Sequence, residues 1–148
     1  MATPIRIWAK LRSPADRSVL FEAAFLLPVV FVGLRTIGWA RMQRFLDRPS
    51  APVRRSVTEA RHLAVLVEAV ARRGPIRYNC LQRSVVLWRV MRGRGLEAQL
   101  RFGVRKEAPG DHRFHAWVEH AGEVLNDAPH VRERFTMFGA VPSGTEAS

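Results

Sequence analysis

The chain has one cysteine, Cys80, at the head of the stretch YNCLQRSVVLWRVMRGRG that runs from Tyr78 to Gly95. A thiol is a weak nucleophile until it ionises, and the positive end of a helix or a nearby imidazolium lowers its pKa. A cysteine in the first turn of an amphipathic helix therefore points to nucleophilic chemistry, although a free cysteine also serves as a small buried hydrophobe. Two later segments supply what a thiol needs. RFHAWVEH and GEVLND alternate as strands around a turn at His120-Ala121-Gly122. A three-residue turn with Gly122 in the left-handed region pairs Glu119 with Glu123, Trp117 with Leu125 and His115 with Asp127. Residues directly opposed on one face have Cβ atoms about 4.5 to 5.5 Å apart. The aspartate can then accept one ring N–H of the histidine, fixing the tautomer and leaving the other nitrogen to take the thiol proton. Cys80, His115 and Asp127 are the candidate catalytic residues, as nucleophile, base and orienting carboxylate.

The remaining candidates carry less. His62 lies inside a helix, His112 in the loop EAPGDHR, His120 in the hairpin turn and His130 after Pro129, and none has a spaced partner that completes a metal site. They read as ordinary surface or packing residues, so no metal and no cofactor are expected. Trp88 and Trp117 read as core.

The elements that must position the three residues follow from punctuation and period. Ser13-Pro14-Ala15-Asp16 marks a helix start, with Ser13 as N-cap and Pro14 at the first helical position. The apolar run VLFEAAFLLPVVFVGL from Val19 to Leu34 contains Glu22 and Pro28 and falls short of the ~18 to 20 residues that span a bilayer. It reads as a buried helical hairpin or kinked helix; a membrane-surface role is compatible with it but not expected. After the proline-rich loop from Asp47 to Pro52, VTEARHLAVLVEAVARRG repeats apolar residues at helical spacing, with Thr58 as a cap candidate and Gly74-Pro75 as the stop. The Cys80 helix places Leu81, Val85, Trp88 and Met91 on one stripe and closes at Gly93 and Gly95. AQLRFGVR then alternates as a strand, which gives an α+β fold: a cysteine-bearing helix on a small antiparallel sheet, preceded by a helical region.

The chain has 148 residues, one domain's worth, and its composition of 47% apolar and 25% charged residues is that of a globular protein. The expected divisions are an N-terminal helical region at 1–52, the core at 53–140 and a flexible tail at 141–148, forming one compact unit. A lone cysteine excludes an internal disulfide and a thiolate-rich zinc site, and fits a reducing cytoplasm. The net charge of +11 is nearly all arginine, since only Lys10 and Lys106 are lysines among 24 basic residues. Arginines are scattered through every segment without a stacking platform of aromatics, which argues against a nucleic-acid-binding domain as the function.

The runs CLQRSVVLWRVMRGRGLEAQLRFGVRK and FHAWVEHAGEVLND resemble the lasso-peptide biosynthesis B2 proteins, leader peptidases with a papain/transglutaminase-like core. The resemblance covers Cys80 to Asp127, with a looser likeness in the helical half. It implies a cysteine protease that removes the leader from a ribosomally made precursor, before a separate ATP-dependent cyclase closes the macrolactam. On this resemblance the family's cysteine, histidine and aspartate fall on Cys80, His115 and Asp127. A transglutaminase-like acyltransferase with an amine acceptor is the alternative. The glutamine that papain-like enzymes carry before the cysteine has no counterpart in GPIRYN, which leaves Tyr78, Asn79 and Gln82 as candidates for the second oxyanion-hole donor. Some family members carry a strand-rich leader-recognition domain, whereas residues 1 to 78 read as helices here. The resemblance therefore implies a separate recognition protein acting in trans on the precursor, with the cyclase as a further candidate partner.

Overall fold

The computed structural model describes residues 13–47, 54–105, 114–127 and 130–141. Its first helix, α1 (Pro14–Thr36), begins at Ser13 as N-cap, with Pro14 in the first turn as its spacing predicts, and continues unbroken through Pro28. The chain then turns at Ile37 into α2 (Gly38–Leu46), and Gly38 takes the positive φ of 78° that this reversal needs. The inner stripe of α1, Val19, Ala23, Leu27 and Val30, packs on α3 (Val57–Arg73) and α4 (Cys80–Gly93). Burial of each valine or leucine of this stripe stabilises by about 1.5 to 3 kcal/mol.

By length and composition alone α1 could cross a membrane, with a mean hydropathy of 1.8 over its most apolar window. Two acidic residues tie it to the rest of the chain. Asp16 Oδ1 is 2.9 Å from His62 Nε2 on α3, and Glu22 accepts from Arg94 at 2.7 Å at the end of α4. The expectation of a buried helical hairpin or kinked helix is corrected on the outer side, where Phe21, Phe25, Val32, Ile37 and Phe45 are exposed. His62, read from sequence as a residue without a role, is the partner of Asp16.

The N-cap of α3 is Ser56, whose hydroxyl accepts from Glu59 N–H; Thr58 lies within the first turn. At the start of α4, Asn79 and Gln82 form a reciprocal capping box, each side-chain oxygen accepting from the other's main-chain N–H at 2.9 Å. This fixes the cysteine as the first residue of the helix. At the far end Gly95 adopts a φ of 74° and releases the chain toward the sheet.

The sheet is antiparallel, with strands β1 (Gln99–Arg105), β2 (Phe114–His120), β3 (Glu123–Val124) and β4 (Phe135–Val141) in the order β3-β2-β1-β4. A short helix, α5 (Val131–Arg134), leads into β4. Leu100, Ala116 and Val118 turn toward α4 and enter the core, while Arg101, Gly103, His115, Trp117 and Glu119 lie on the opposite face. Trp88 and Trp117 are both fully buried, as their sequence context predicts. The fold is α+β: helices packed on one face of a four-stranded antiparallel sheet.

The hairpin between β2 and β3 differs from expectation. His120 pairs with Glu123 and Glu119 with Val124, so the turn has two residues, Ala121 and Gly122, with φ of 49° and 82°. Positive φ at both central positions is the type I′ arrangement, whose twist matches that of the strands. His120, read from sequence as a surface turn residue, is 1% exposed. Its Nδ1–H donates to Glu97 O at 2.6 Å, and Ser56 N–H donates to its Nε2 at 2.9 Å. The histidine thereby fastens the N-terminus of α3 to the sheet. His130 caps α5 and is exposed, and His112 lies outside the described residues, as does the tail beyond Val141.

Candidate active site

The sequence of β2 and its neighbours builds the site at one end of the sheet. Because β3 is only two residues long, the ladder stops early and the beginning of β2 has an open edge on that side. The N-terminus of α4 and the segment Leu125–Asp127 fill the opening. Cys80 is half-buried there, with its thiol close enough to the His115 side chain and to the main-chain N–H groups of Ala116 and Leu81 for these to lower its pKa. His115 Nε2–H donates to Asp127 Oδ2 in a short contact. With Nε2 so engaged, Nδ1 is the nitrogen left for the thiol. The structure thus brings the three candidate residues together at one end of the sheet.

The hairpin register that led to Asp127 is corrected by one residue, yet the contact with His115 is present. An ideal continuation of the observed ladder puts Leu125 opposite Val118, as the Leu125 N–H to Val118 O bond of 3.0 Å shows, and would place Asp127 opposite Ala116, one residue from His115. Instead the chain bends out of the ladder after Val124, which returns the Asp127 carboxylate to the imidazole.

The electrostatics follow from this geometry. Burial pushes the Cys80 thiol up, but hydrogen bonds from His115 and from the Ala116 and Leu81 N–H groups, with the imidazolium charge, outweigh it and hold the thiol below its ordinary range. His115 moves the opposite way, raised from 6.5 to about 8. The hydrogen bond to Cys80 is the largest cause; burial opposes it, and the bond to Asp127 and the two negative charges add to the rise. The two shifts agree in sense: each group stabilises the charged form of the other, which favours a thiolate–imidazolium pair.

Aromatic packing restrains the imidazole from the outer face of the sheet. The Phe135 ring stacks on His115 with centroids 4.8 Å apart at 22°, and Trp117 lies 6.0 Å away. Gly103, paired with His115 in the β1–β2 ladder, makes room for both rings, since a Cβ there would sit 2.7 Å from Phe135 Cβ and 3.1 Å from the Trp117 ring. Trp117 is anchored in turn by its Nε1–H, which donates to Glu119 at 2.9 Å, and Glu119 also accepts from Arg132 at 2.7 Å and Arg101 at 3.3 Å. Hydrogen bonds from Arg132 and Trp117 hold the Glu119 carboxyl below its usual value against the opposing effect of burial.

Of the three oxyanion candidates, Asn79 and Gln82 have their side-chain oxygens committed to the capping box. Tyr78 packs edge-on to Phe31 with centroids 6.1 Å apart. Sequence reasoning passed over Phe135, Gly103, Ser84 and Asn126. The first two were findable from the aromatic and β-branched run FTMFGAV and from a glycine inside an alternating strand. Among the described residues no group of three His, Cys, Asp or Glu side chains could hold a metal ion.

Comparison with known proteins agrees with this architecture. No solved structure matches the chain. The microcin J25-processing protein McjB of Escherichia coli is 35% identical over 63 residues, 43% of this chain. The match spans 29% of that protein's own length. The Transglutaminase-like superfamily matches residues 23–139, more than half of the chain and all three candidate residues, and the chain belongs to that superfamily.

Proposed function

We propose that this protein is a cysteine peptidase that removes the leader from a lasso-peptide precursor, with Cys80 as nucleophile, His115 as acid and base, and Asp127 as the carboxylate that orients the histidine. The observation that carries this reading is the His115–Asp127 hydrogen bond beside the Cys80 thiol, with thiol and imidazole each shifting the other toward its charged form. The similarity to a microcin J25-processing protein supports the substrate class.

The thiolate attacks the carbonyl at the leader–core junction, forming a C–S bond. The oxyanion of the tetrahedral intermediate is met by the main-chain N–H of Cys80, at a helix start whose dipole favours negative charge. His115 gives its proton to the departing core amine as the C–N bond breaks, which leaves a thioester on Cys80. His115 then takes a proton from water, whose oxygen displaces the sulfur, and the leader departs as a carboxylic acid. Asp127 holds the ring through both steps. The single thiol suits a reducing cytoplasm.

A separate leader-recognition protein presents the precursor in trans, and the macrolactam is closed afterwards by a separate ATP-dependent cyclase. Excess arginine on the surface favours an acidic leader or partner.

The test is incubation of the purified chain with a precursor, with and without the recognition protein, followed by mass spectrometry. Hydrolysis adds the mass of water to the leader; transfer to an amine adds the amine instead and would establish the acyltransferase reading. Cleavage that survives Cys80→Ala, or a rate that needs no partner and ignores salt, contradicts the corresponding part of the proposal.

A further inference from the structure

An open strand edge inside a folded protein leaves main-chain donors and acceptors that must find partners. Along β2, from Ala116 to Val118, they find side chains. Val118 N–H donates to Asn126 Oδ1 at 2.8 Å, in place of the ladder bond that a longer β3 would supply. Ala116 O accepts from Ser84 Oγ at 3.0 Å, and the Ala116 N–H contributes to lowering the Cys80 thiol pKa. Asn126 Nδ2 donates to Ser84 Oγ at 2.8 Å and closes the circuit.

The circuit has one internally consistent arrangement. The Ser84 hydrogen is committed to the Ala116 carbonyl, so its oxygen is free to accept from Asn126 Nδ2. That in turn sets Asn126 Oδ1 toward Val118 N–H. Ser84 is wholly buried, with no water-exposed alternative. Three members also lie next to, or one helical turn from, a reacting residue in the chain. Ser84 lies one helical turn after Cys80, Ala116 follows His115, and Asn126 precedes Asp127.

We propose that Ser84 and Asn126 are positioning residues, a polar clamp that completes the open edge of β2 and holds the cysteine helix, the histidine strand and the aspartate segment in one register. Neither touches the reacting atoms; they act through the placement of Cys80, His115 and Asp127. The kinetic consequence rests on the peptidase reading, but the geometric one does not.

The experiment uses the full chain and needs no substrate for its first arm. The rate of alkylation of Cys80 by iodoacetamide is followed against pH in the wild type, Ser84→Ala, Asn126→Ala and the core control Val67→Ala. The two clamp variants are expected to raise the midpoint by about one pH unit toward the ordinary thiol range. Val67→Ala is expected to lower Tm and leave the midpoint in place. In the second arm, on a precursor, the clamp variants are expected to lower kcat about tenfold or more with little change in KM, the pattern of lost outer-layer support. Unchanged midpoints in both clamp variants, or an equal shift in Val67→Ala, overturn the inference. Displaced midpoints in a chain that cleaves no precursor would uphold the clamp and reject the peptidase reading.

Discussion

His115 Nε2–H and Asp127 Oδ2 are hydrogen-bonded although the β2–β3 ladder does not pair their residues. The contact depends on the bend that follows Val124, so the carboxylate is held by a short segment and not by strand register. The imidazole is correspondingly fixed from three sides: the carboxylate, the stacked Phe135 ring and the thiol.

Asp127→Asn tests the role of that carboxylate. An amide can present its NH2 to the ring and stabilise the wrong tautomer, so kcat for precursor cleavage should fall on the order of 10²-fold, less than in Cys80→Ala. Circular dichroism should remain that of the wild type. Equal activity in the asparagine variant would remove Asp127 from the mechanism.

The pH profile of cleavage follows from the two shifts. The rate should fall as pH rises through about 8, where His115 loses the proton it must give to the leaving amine. It should fall on the acid side as the thiolate, held below its ordinary range, is protonated. A raised histidine pKa also means that its contribution to stability is full below about 6.5 and is lost as pH rises through about 8. Because the bond to Cys80 is the largest cause of the rise, Cys80→Ala should bring the His115 titration down from about 8, as read by NMR of the imidazole.

Gly103→Ala should be costly for so small a change. The added methyl meets Phe135 Cβ at 2.7 Å and the Trp117 ring at 3.1 Å, beside the imidazole. Overpacking of this kind destabilises by about 1 to 3 kcal/mol. Thermal unfolding should show the loss, and the thiol alkylation profile should broaden or shift as the rings move. A wild-type Tm would show that β4 yields freely.

His120→Phe separates fastening from chemistry. It leaves Ser56 N–H and Glu97 O without their partner, at about 1 to 3 kcal/mol for each group that stays buried. Tm should drop by several degrees while the Cys80 alkylation midpoint stays that of the wild type.

Much of the site was legible because its signals are local. The helical period of α3 and α4 is set by side chains a few residues apart, and the capping residues around Cys80 are contiguous with it. The alternation of β2 placed His115 correctly on its strand, and the same parity could have revealed His120, which shares the core-facing side with Ala116 and Val118. The turn was misread because an alanine in the left-handed region, Ala121 at φ 49°, is uncommon enough that a longer loop with one glycine looked simpler. Ser84 and Asn126 were not legible at all. Their role exists only because β3 is short, and the satisfaction of a strand edge is decided by tertiary contact.

The central claim is that His115 draws the proton from Cys80 so that the sulfur ionises below the ordinary thiol range. With a single cysteine in the chain, the ultraviolet absorption of the thiolate titrates one group without ambiguity. The wild type should show a midpoint below the ordinary thiol value of about 8.5, and His115→Ala should return it to that value or above, because burial then acts unopposed by the imidazole. A wild-type midpoint at or above the ordinary value, unmoved by His115→Ala, would contradict the account.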